Sequence, residues 1–186
     1  EQYPETQETV FMRISNTGLG TLAYSFPEYE TTTSRAPLAY CAASGGCDEY
    51  IGTVQFGTIN NTSGCGGYAD FTSISTEIVK GETYPITVSN PTPYSTDITG
   101  VWIDWNKNES FDDAGEFFST TSAGGATFTA NITVPGDALT GATRMRVRLQ
   151  YGGTLASCGT TSYGDVEDYT VLVANPTFIT AVAPAA

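Results

Sequence analysis

The chain has 186 residues with twenty acids, seven bases and no histidine, which gives a net charge of −13 at pH 7. This charge argues against nucleic acid or an anionic membrane as a partner, because phosphate groups are bound by clustered Lys and Arg. The lack of histidine excludes Ser-His-Asp and Cys-His catalysis and every zinc site with a histidine ligand. Threonine, tyrosine and glycine are abundant, which predicts an all-β fold. No apolar run is long enough to span a membrane.

The first 36 residues are predicted to be an N-terminal hairpin and linker. Residues 10–15 and 21–26 alternate in polarity, and a turn with two glycines at 16–20 separates them, as in a β-hairpin. Residues 28–36 are polar without an apolar period, which is typical of a linker. The hairpin, with its turn from Ile14 to Leu22, resembles the turn of Ig-like spacer repeats in bacterial surface proteins, which implies that this part is a remnant of such a spacer.

Residues 37–175 are predicted to form one β-sandwich of jelly-roll or Ig-like type, built from antiparallel strands. Short alternating runs are separated by Gly, Pro and Asn turns, and no helical period is evident. The predicted strands are Tyr50–Ile59, Thr83–Ser89, Ile98–Asp104, Glu116–Thr120, Ala126–Val134, Ala142–Tyr151 and Asp168–Ala174. Residues 176–186 contain two prolines and are predicted to be an exit linker. We therefore expect a fragment of a longer chain, with covalently linked neighbouring domains.

The four cysteines predict two disulfides and an oxidising compartment. The alternative is free buried thiols in a cytosolic protein. Three pairings are compatible with Cys41, Cys47, Cys65 and Cys158. Because Cys47 and Cys65 lie in glycine-rich turns, a bond between them would close a local hairpin.

Five motifs between residues 40 and 173 resemble, in order, those of the GEVED domain. They are Tyr40-Cys41, Tyr68-Ala69-Asp70-Phe71-Thr72, Val101-Trp102-Ile103-Asp104-Trp105-Asn106, Thr143-Arg144-Met145-Arg146-Val147 and Tyr163-Gly164-Asp165-Val166-Glu167-Asp168-Tyr169. The stretch that gives the family its name is Gly164–Asp168 here, with Asp165 in place of the first Glu. The resemblance implies a non-catalytic module of secreted bacterial proteins, located outside the cell or at its surface. It also implies a Cys41–Cys158 disulfide, with Cys47 and Cys65 as the second pair.

The acidic segment 104–116 has the spacing of a calcium loop, because oxygen-bearing side chains occupy positions 1, 3, 5, 7 and 9. It departs from an EF-hand in having Glu109 at the usual glycine position and its closing acid one residue late. The alternative is an Asx-rich turn that binds its own backbone. The predicted Ca²⁺ ligands are Asp104, Asn106, Asn108, Ser110 through its carbonyl, Asp112 and Glu116. Without histidine, any metal here is expected to be hard and oxygen-bound.

A second acidic group is predicted to form structural ion pairs with three arginines. Arg144, Arg146 and Arg148 alternate with apolar residues and so share one strand face. We expect a ladder between these arginines and Asp165, Glu167 and Asp168. The alternatives are an anion site, which the net charge disfavours, and a glycoside-hydrolase carboxylate pair.

Exposed aromatic side chains would suit a carbohydrate ligand, because the apolar face of a sugar packs on a ring. Trp102 and Trp105 lie on opposite faces of one predicted strand, so we expect one in the core and the other exposed, although burial of both is the alternative. The candidate ligand-binding residues are Trp105, Tyr94, Tyr68 and Tyr163. We therefore expect a calcium-stabilised accessory module that binds an extracellular polysaccharide. The alternative is a spacer or protein-binding adhesin domain.

Overall fold

The computed structural model describes residues 39–122 and 124–177. The predicted hairpin at 10–26, the linker at 28–36 and most of the exit linker lie outside these residues. In the described part no helix is long and apolar enough to cross a membrane.

Two five-stranded sheets form a β-sandwich, and the described residues contain no helix, which confirms the predicted all-β class. The strands are β1 (Ala43–Ser44), β2 (Thr53–Phe56), β3 (Ile59–Thr62), β4 (Ala69–Val79), β5 (Thr83–Ser89), β6 (Asp97–Ile103), β7 (Phe117–Ser119), β8 (Thr121–Ser122), β9 (Thr127–Thr133), β10 (Gly141–Tyr151), β11 (Gly159–Thr160) and β12 (Asp165–Ala174). One sheet has the order β4-β12-β10-β6-β7, and the other has the order β3-β2-β5-β9-β8. Strands β1 and β11 form a separate pair.

The structure differs from the predicted strands in several places, and the short strands β1, β8 and β11 were not predicted. Strand β4 was missed because Ala69–Val79 is rich in Ser, Thr and acids, and it lies at a sheet edge where few of its side chains are buried. The predicted strand Tyr50–Ile59 is instead interrupted by Gly57, whose φ of 56° allows a tight turn between β2 and β3. In addition, β12 pairs with β4 in parallel, so the sandwich is not purely antiparallel.

The core lies between the two sheets and is filled by alternate residues of the strands. Met145, Val147 and Leu149 of β10 are fully buried in it, as are Ile86 and Val88 of β5. The intervening arginines of β10 consequently point to the opposite, outer face of that sheet. This outer face is where loops, rather than a second sheet, provide the cover.

Two disulfides, Cys41–Cys158 and Cys47–Cys65, have the pairing that the resemblance implied. The first spans 117 residues and joins the segment before β1 to the loop before β11. Closing so long a loop restricts the unfolded chain, which by the entropic model stabilises the fold by about 4–5 kcal/mol.

Candidate functional site

The segment Gly164–Asp168 begins at a turn that has no room for a side chain. Gly164 has a φ of 109°, and a Cβ atom there would lie 2.1 Å from the carbonyl oxygen of Leu149. A positive φ combined with so close an approach of another backbone segment requires glycine. This glycine therefore sets the start of β12 against the end of β10.

Asp168 lies on the outer face of its sheet, opposite Arg146 in the strand register. Its buried carboxylate makes a two-point contact, with Oδ1 2.7 Å from Arg146 Nε and Oδ2 2.8 Å from Arg146 Nη2. Arg144 Nη1 lies 3.2 Å from the same Oδ2. Such a forked contact is strong and geometrically specific, so it fixes β12 against β10.

Arg148 does not take part in the predicted ladder, because its guanidinium contacts backbone carbonyls instead of an acid. The guanidinium donates to the carbonyl oxygens of Ser44, Ala156, Cys158 and Gly159 at 2.8 to 3.2 Å. Arg146 likewise donates to the carbonyls of Cys41 and Ser157, each at 2.8 Å. Most of these hydrogen bonds are partly buried, where a backbone carbonyl needs a donor. The two arginines therefore bind the disulfide-linked loops to the sheet.

Asp165 and Glu167 point toward the space between the sheets, away from the arginines, so the predicted ion pairs are wrong for both. Burial raises the pKa of Asp165 to about 6, although several backbone N–H groups offset part of the rise. Burial also raises the pKa of Glu167 to about 7, against hydrogen bonds from Ser63 and Tyr169. With 1 % and 0 % exposure, neither carboxylate can reach a polysaccharide.

The loop 104–116 between β6 and β7 begins at a buried aspartate, whose carboxylate accepts hydrogen bonds from backbone N–H groups later in the loop. Asp104 Oδ1 accepts from Asn108 N at 3.3 Å, and Oδ2 accepts from Glu109 N at 3.0 Å. The Tyr40 hydroxyl donates to Oδ2 as well, at 2.7 Å. Glu109 has a φ of 62°, so it adopts the left-handed conformation that glycine provides in an EF-hand.

Successive turns shape the rest of this loop, as in the Asx-turn alternative. Asn106 Oδ1 accepts from Asn108 N at 3.0 Å, and Asn108 Oδ1 accepts from Ser110 N at 2.9 Å. Ser110 Oγ in turn accepts from Asp112 N at 3.1 Å. Each amide oxygen that accepts one N–H retains a second lone pair. The turns and a bound cation are therefore compatible at these two asparagines.

Glu116 closes the loop and carries an oxygen without a partner. Its Oε1 accepts from Trp105 N at 2.9 Å, whereas the buried Oε2 has no hydrogen bond. Burial raises the pKa of Glu116 to about 6, and the carboxylates of Asp104 and Asp113 add to the rise. A cavity of about 210 Å³ lies beside it, lined by Trp105, Asn106, Asp113, Ala114, Glu116, Pro135, Asp137 and Ala138. Within the described ranges no three acid, cysteine or histidine side chains form a ready-made metal cluster.

Three exposed tyrosines, Tyr94, Tyr151 and Tyr163, form an edge-to-face row that we call the tyrosine cluster. The ring centroids of Tyr94 and Tyr151 are 5.7 Å apart, and those of Tyr151 and Tyr163 are 6.2 Å apart. Their exposed fractions are 46 %, 50 % and 51 %. The hydroxyl of Tyr94 lies 3.3 Å from Asp48 Oδ2. A large apolar side chain is normally buried, so three half-exposed rings in contact mark a candidate binding surface.

The other two candidate ligand-binding residues, Trp105 and Tyr68, do not belong to this surface. Trp105 is 5 % exposed, donates from Nε1 to Gly115 O and lies in the core, and Trp102 is also buried. The expectation of one exposed tryptophan is therefore wrong and both are buried, because the Trp102 ring on the other face packs against Phe117 of β7 with ring centroids 5.0 Å apart. Tyr68 is exposed but binds Asp168 Oδ2 at 3.2 Å and has no ring contact with the tyrosine cluster.

The Gly164–Asp168 turn, the buried arginine contacts and the acidic loop all lie in one stretch of the chain. Residues 98–172 match the model of the GEVED domain. This match confirms the resemblance drawn from the motifs and identifies an accessory-type domain family. A crystal structure of a two-domain protein with unknown function from Bacteroides fragilis NCTC 9343 is also similar, with a TM-score of 0.28 and 12 % identity over 66 % of this chain. The alignment covers 46 % of that protein, so this chain spans less than half of it. No curated protein matches the chain.

Sequence reasoning missed two residues that organise the candidate sites. Tyr151 joins Tyr94 to Tyr163, and Asp113 accepts from the side-chain amides of Asn106 and Asn108 at 3.0 and 2.6 Å. Tyr151 ends β10, where the pairing with β6 places it opposite Asp97. That register depends on long-range pairing, so no local pattern signals it.

Proposed function

We propose that this GEVED domain is a non-catalytic accessory module that binds carbohydrate through the tyrosine cluster. The row of Tyr94, Tyr151 and Tyr163 is the observation that supports this function. Half-exposed rings offer apolar faces on which sugar rings can pack, and the hydroxyl groups remain available as hydrogen-bond partners. Tyrosine also provides a large contact area at a low cost in conformational entropy.

The charge around the tyrosine cluster favours a neutral glycan over an anionic one. Asp48 lies beside Tyr94, and its charge raises the pKa of the Tyr94 hydroxyl. The Tyr94 hydroxyl donates to this carboxylate, so a neutral hydroxyl group and an acid lie side by side at the surface. A net charge of −13 would repel uronic or sulfated sugars. We therefore propose that the substrate class is a neutral extracellular polysaccharide and that the domain targets an attached enzyme or surface protein to it.

We also propose that calcium stabilises the 104–116 loop. The unpartnered Oε2 of Glu116 and the adjacent cavity support this, since calcium takes carboxylate and carbonyl oxygens together with water. All six predicted ligands lie in this loop. We propose four of them as side-chain ligands, namely Asp104, Asn106, Asn108 and Glu116, and add Asp113, which accepts from both asparagines. Asp112 and Ser110 take part in the turns that shape it. When bound, the cation would neutralise the loop acids and hold the loop against the core.

Affinity gel electrophoresis on a panel of neutral and anionic polysaccharides tests the proposed glycan binding. We expect at least one neutral polysaccharide to retard the full chain, and Tyr151→Ala to weaken that binding about tenfold, as for a central aromatic contact. Tyr68→Ala is the matched control, because Tyr68 is exposed but lies outside the tyrosine cluster. Equal retardation of both variants would contradict the assignment of the surface. No retardation by any polysaccharide would favour the spacer or protein-binding alternative.

A further inference from the structure

Two acidic residues meet at one end of the sandwich, beneath the tyrosine cluster and apart from the 104–116 loop. Asp97 begins β6 and lies opposite Tyr151 in the register with β10. Glu49 belongs to the segment between Cys47 and β2, and the backbone carbonyl of the preceding Asp48 accepts from Thr92 Oγ1 at 3.0 Å. The turn before β6 therefore lies against the segment that carries Glu49, and Asp97 begins the strand after that turn.

Both carboxylates are buried and carry oxygens without hydrogen-bond partners. Glu49 is 0 % exposed, and neither of its carboxylate oxygens has a partner of normal geometry. Asp97 is 5 % exposed; its Oδ2 accepts from Asn90 Nδ2 and Tyr94 N, each at 2.7 Å, whereas its Oδ1 has no partner. A buried carboxylate is normally paired, hydrogen-bonded or bound to a metal.

No base compensates these acids within residues 39–122 and 124–177. The ion pairs of this part of the chain join Arg144 and Arg146 to Asp168 on the outer face of the sheet. Burial raises the pKa of Glu49 and of Asp97, and the charge of the exposed Asp48 raises both further. The two buried carboxylates therefore have no cation of the described residues as a partner, and the charge of Asp48 adds to the negative potential around them.

We propose that Glu49 and Asp97 form a second divalent-cation site of the calcium type, with Asp48 at its exposed side. Two carboxylates supply only part of the six to eight oxygens that calcium takes, so backbone carbonyls and water complete the coordination. Within the described ranges no three acid, cysteine or histidine side chains are arranged to hold a metal, so the proposed acid ligands are Glu49 and Asp97 alone. All cysteines are in disulfides and histidine is lacking, so a soft metal has no ligand here.

The position of this site connects it to the tyrosine cluster. Tyr94 N donates to Asp97 Oδ2, and the Tyr94 hydroxyl lies next to Asp48. A cation held by these carboxylates would fix the turn that carries Tyr94. The proposal of a metal site rests on the buried carboxylate oxygens of Glu49 and Asp97 that have no hydrogen-bond partner. It therefore does not depend on whether a glycan binds.

Isothermal titration of the full chain with calcium chloride alone tests this site. We expect Glu49→Gln and Asp97→Asn each to bind one calcium ion fewer per chain than the wild type. Asp104→Asn, at the other loop, retains the ion held by Glu49 and Asp97. Glu82→Gln, an exposed acid between β4 and β5, is the control for loss of charge and is expected to match the wild type.

Thermal melting in EDTA provides a second readout that needs no bound metal. Because Glu49→Gln removes an unpaired buried charge without changing the side-chain shape, we expect it to melt at a higher temperature than the wild type in EDTA. Added calcium then raises the melting temperature of the wild type more than that of the variant. An unchanged calcium count in both carboxylate variants would overturn the proposal, whatever the result with polysaccharides.

Discussion

At the residue scale, Glu109 shows how a sequence departure is accommodated by the backbone. It stands where a calcium loop usually has glycine, and it nevertheless adopts a φ of 62°. The left-handed conformation costs about 1–2 kcal/mol for a residue with a side chain. The hydrogen bond from its backbone N–H to the buried Asp104 holds this conformation in place.

We predict that Glu109→Gly is more stable than Glu109→Ala by about 1 kcal/mol, measured by urea unfolding. Both variants lose the same carboxylate, and only glycine relieves the left-handed strain, so their difference isolates the backbone. The same pair of substitutions at Glu77, in the interior of β4, should have the opposite order, since glycine weakens a strand. Equal stability of the two Glu109 variants would show that the loop relaxes to another conformation.

For single residues, the sequence could predict the direction of a side chain but not its interaction partner. The alternation of β10 correctly separated its arginines from its core residues, because side-chain direction follows from local geometry. Local geometry does not identify the partners. Arg148 binds loop carbonyls because the disulfide-linked segment 41–44 lies over it, and that segment is more than a hundred positions away in the chain.

At the scale of the element, β12 carries two carboxyl groups into the interior, and this makes the stability of the domain depend on pH. The pKa of Glu167 rises from its ordinary value of 4.5 to about 7, and that of Asp165 rises from 3.8 to about 6. Between the unfolded and the folded pKa values, the native state binds more protons than the unfolded state. The free energy of unfolding that these two carboxyl groups contribute is therefore fully present below about pH 4 and is lost as the pH rises to about 7.

We predict that Glu167→Gln removes about half of this dependence, because Asp165 retains a shift of similar size. At about 1.4 kcal/mol per pKa unit, the Glu167 shift corresponds to a loss of about 3 kcal/mol between pH 4 and pH 8. Chemical unfolding in EDTA at a series of pH values measures it, with the exposed Glu77→Gln as the matched control. The variant should be more stable than the wild type at pH 8 and similar at pH 4. Parallel pH profiles for all three proteins would contradict the account.

The alternation of polar and apolar residues within each strand decides which strands could be predicted from the sequence. Strands with clear alternation, such as β5, β9 and β10, were placed within a few residues because both the pattern and the turns around them are local. The edge strand β4 was missed since most of its side chains are polar. Its parallel pairing with β12 joins segments a hundred positions apart, which no local pattern encodes.

At the scale of the whole molecule, the net charge of −13 is distributed unevenly, with acids concentrated in a few places. Within residues 39–122 and 124–177 the arginines pair with no acid but Asp168, while Glu49, Asp97 and Glu116 are buried with unpartnered oxygens. The cations proposed above would neutralise these acids and secure the loops around the disulfide-linked sandwich. The tyrosine cluster would then be presented on a fixed support, as a binding module requires.

The most direct test of the central claim is a glycan array probed with the full chain in calcium. The account predicts binding to a class of neutral glycans, with the signal strongly reduced for Tyr151→Ala and retained for Tyr68→Ala. A folded chain that binds no glycan on the array, or one whose binding is unaffected by Tyr151→Ala, would contradict the claim.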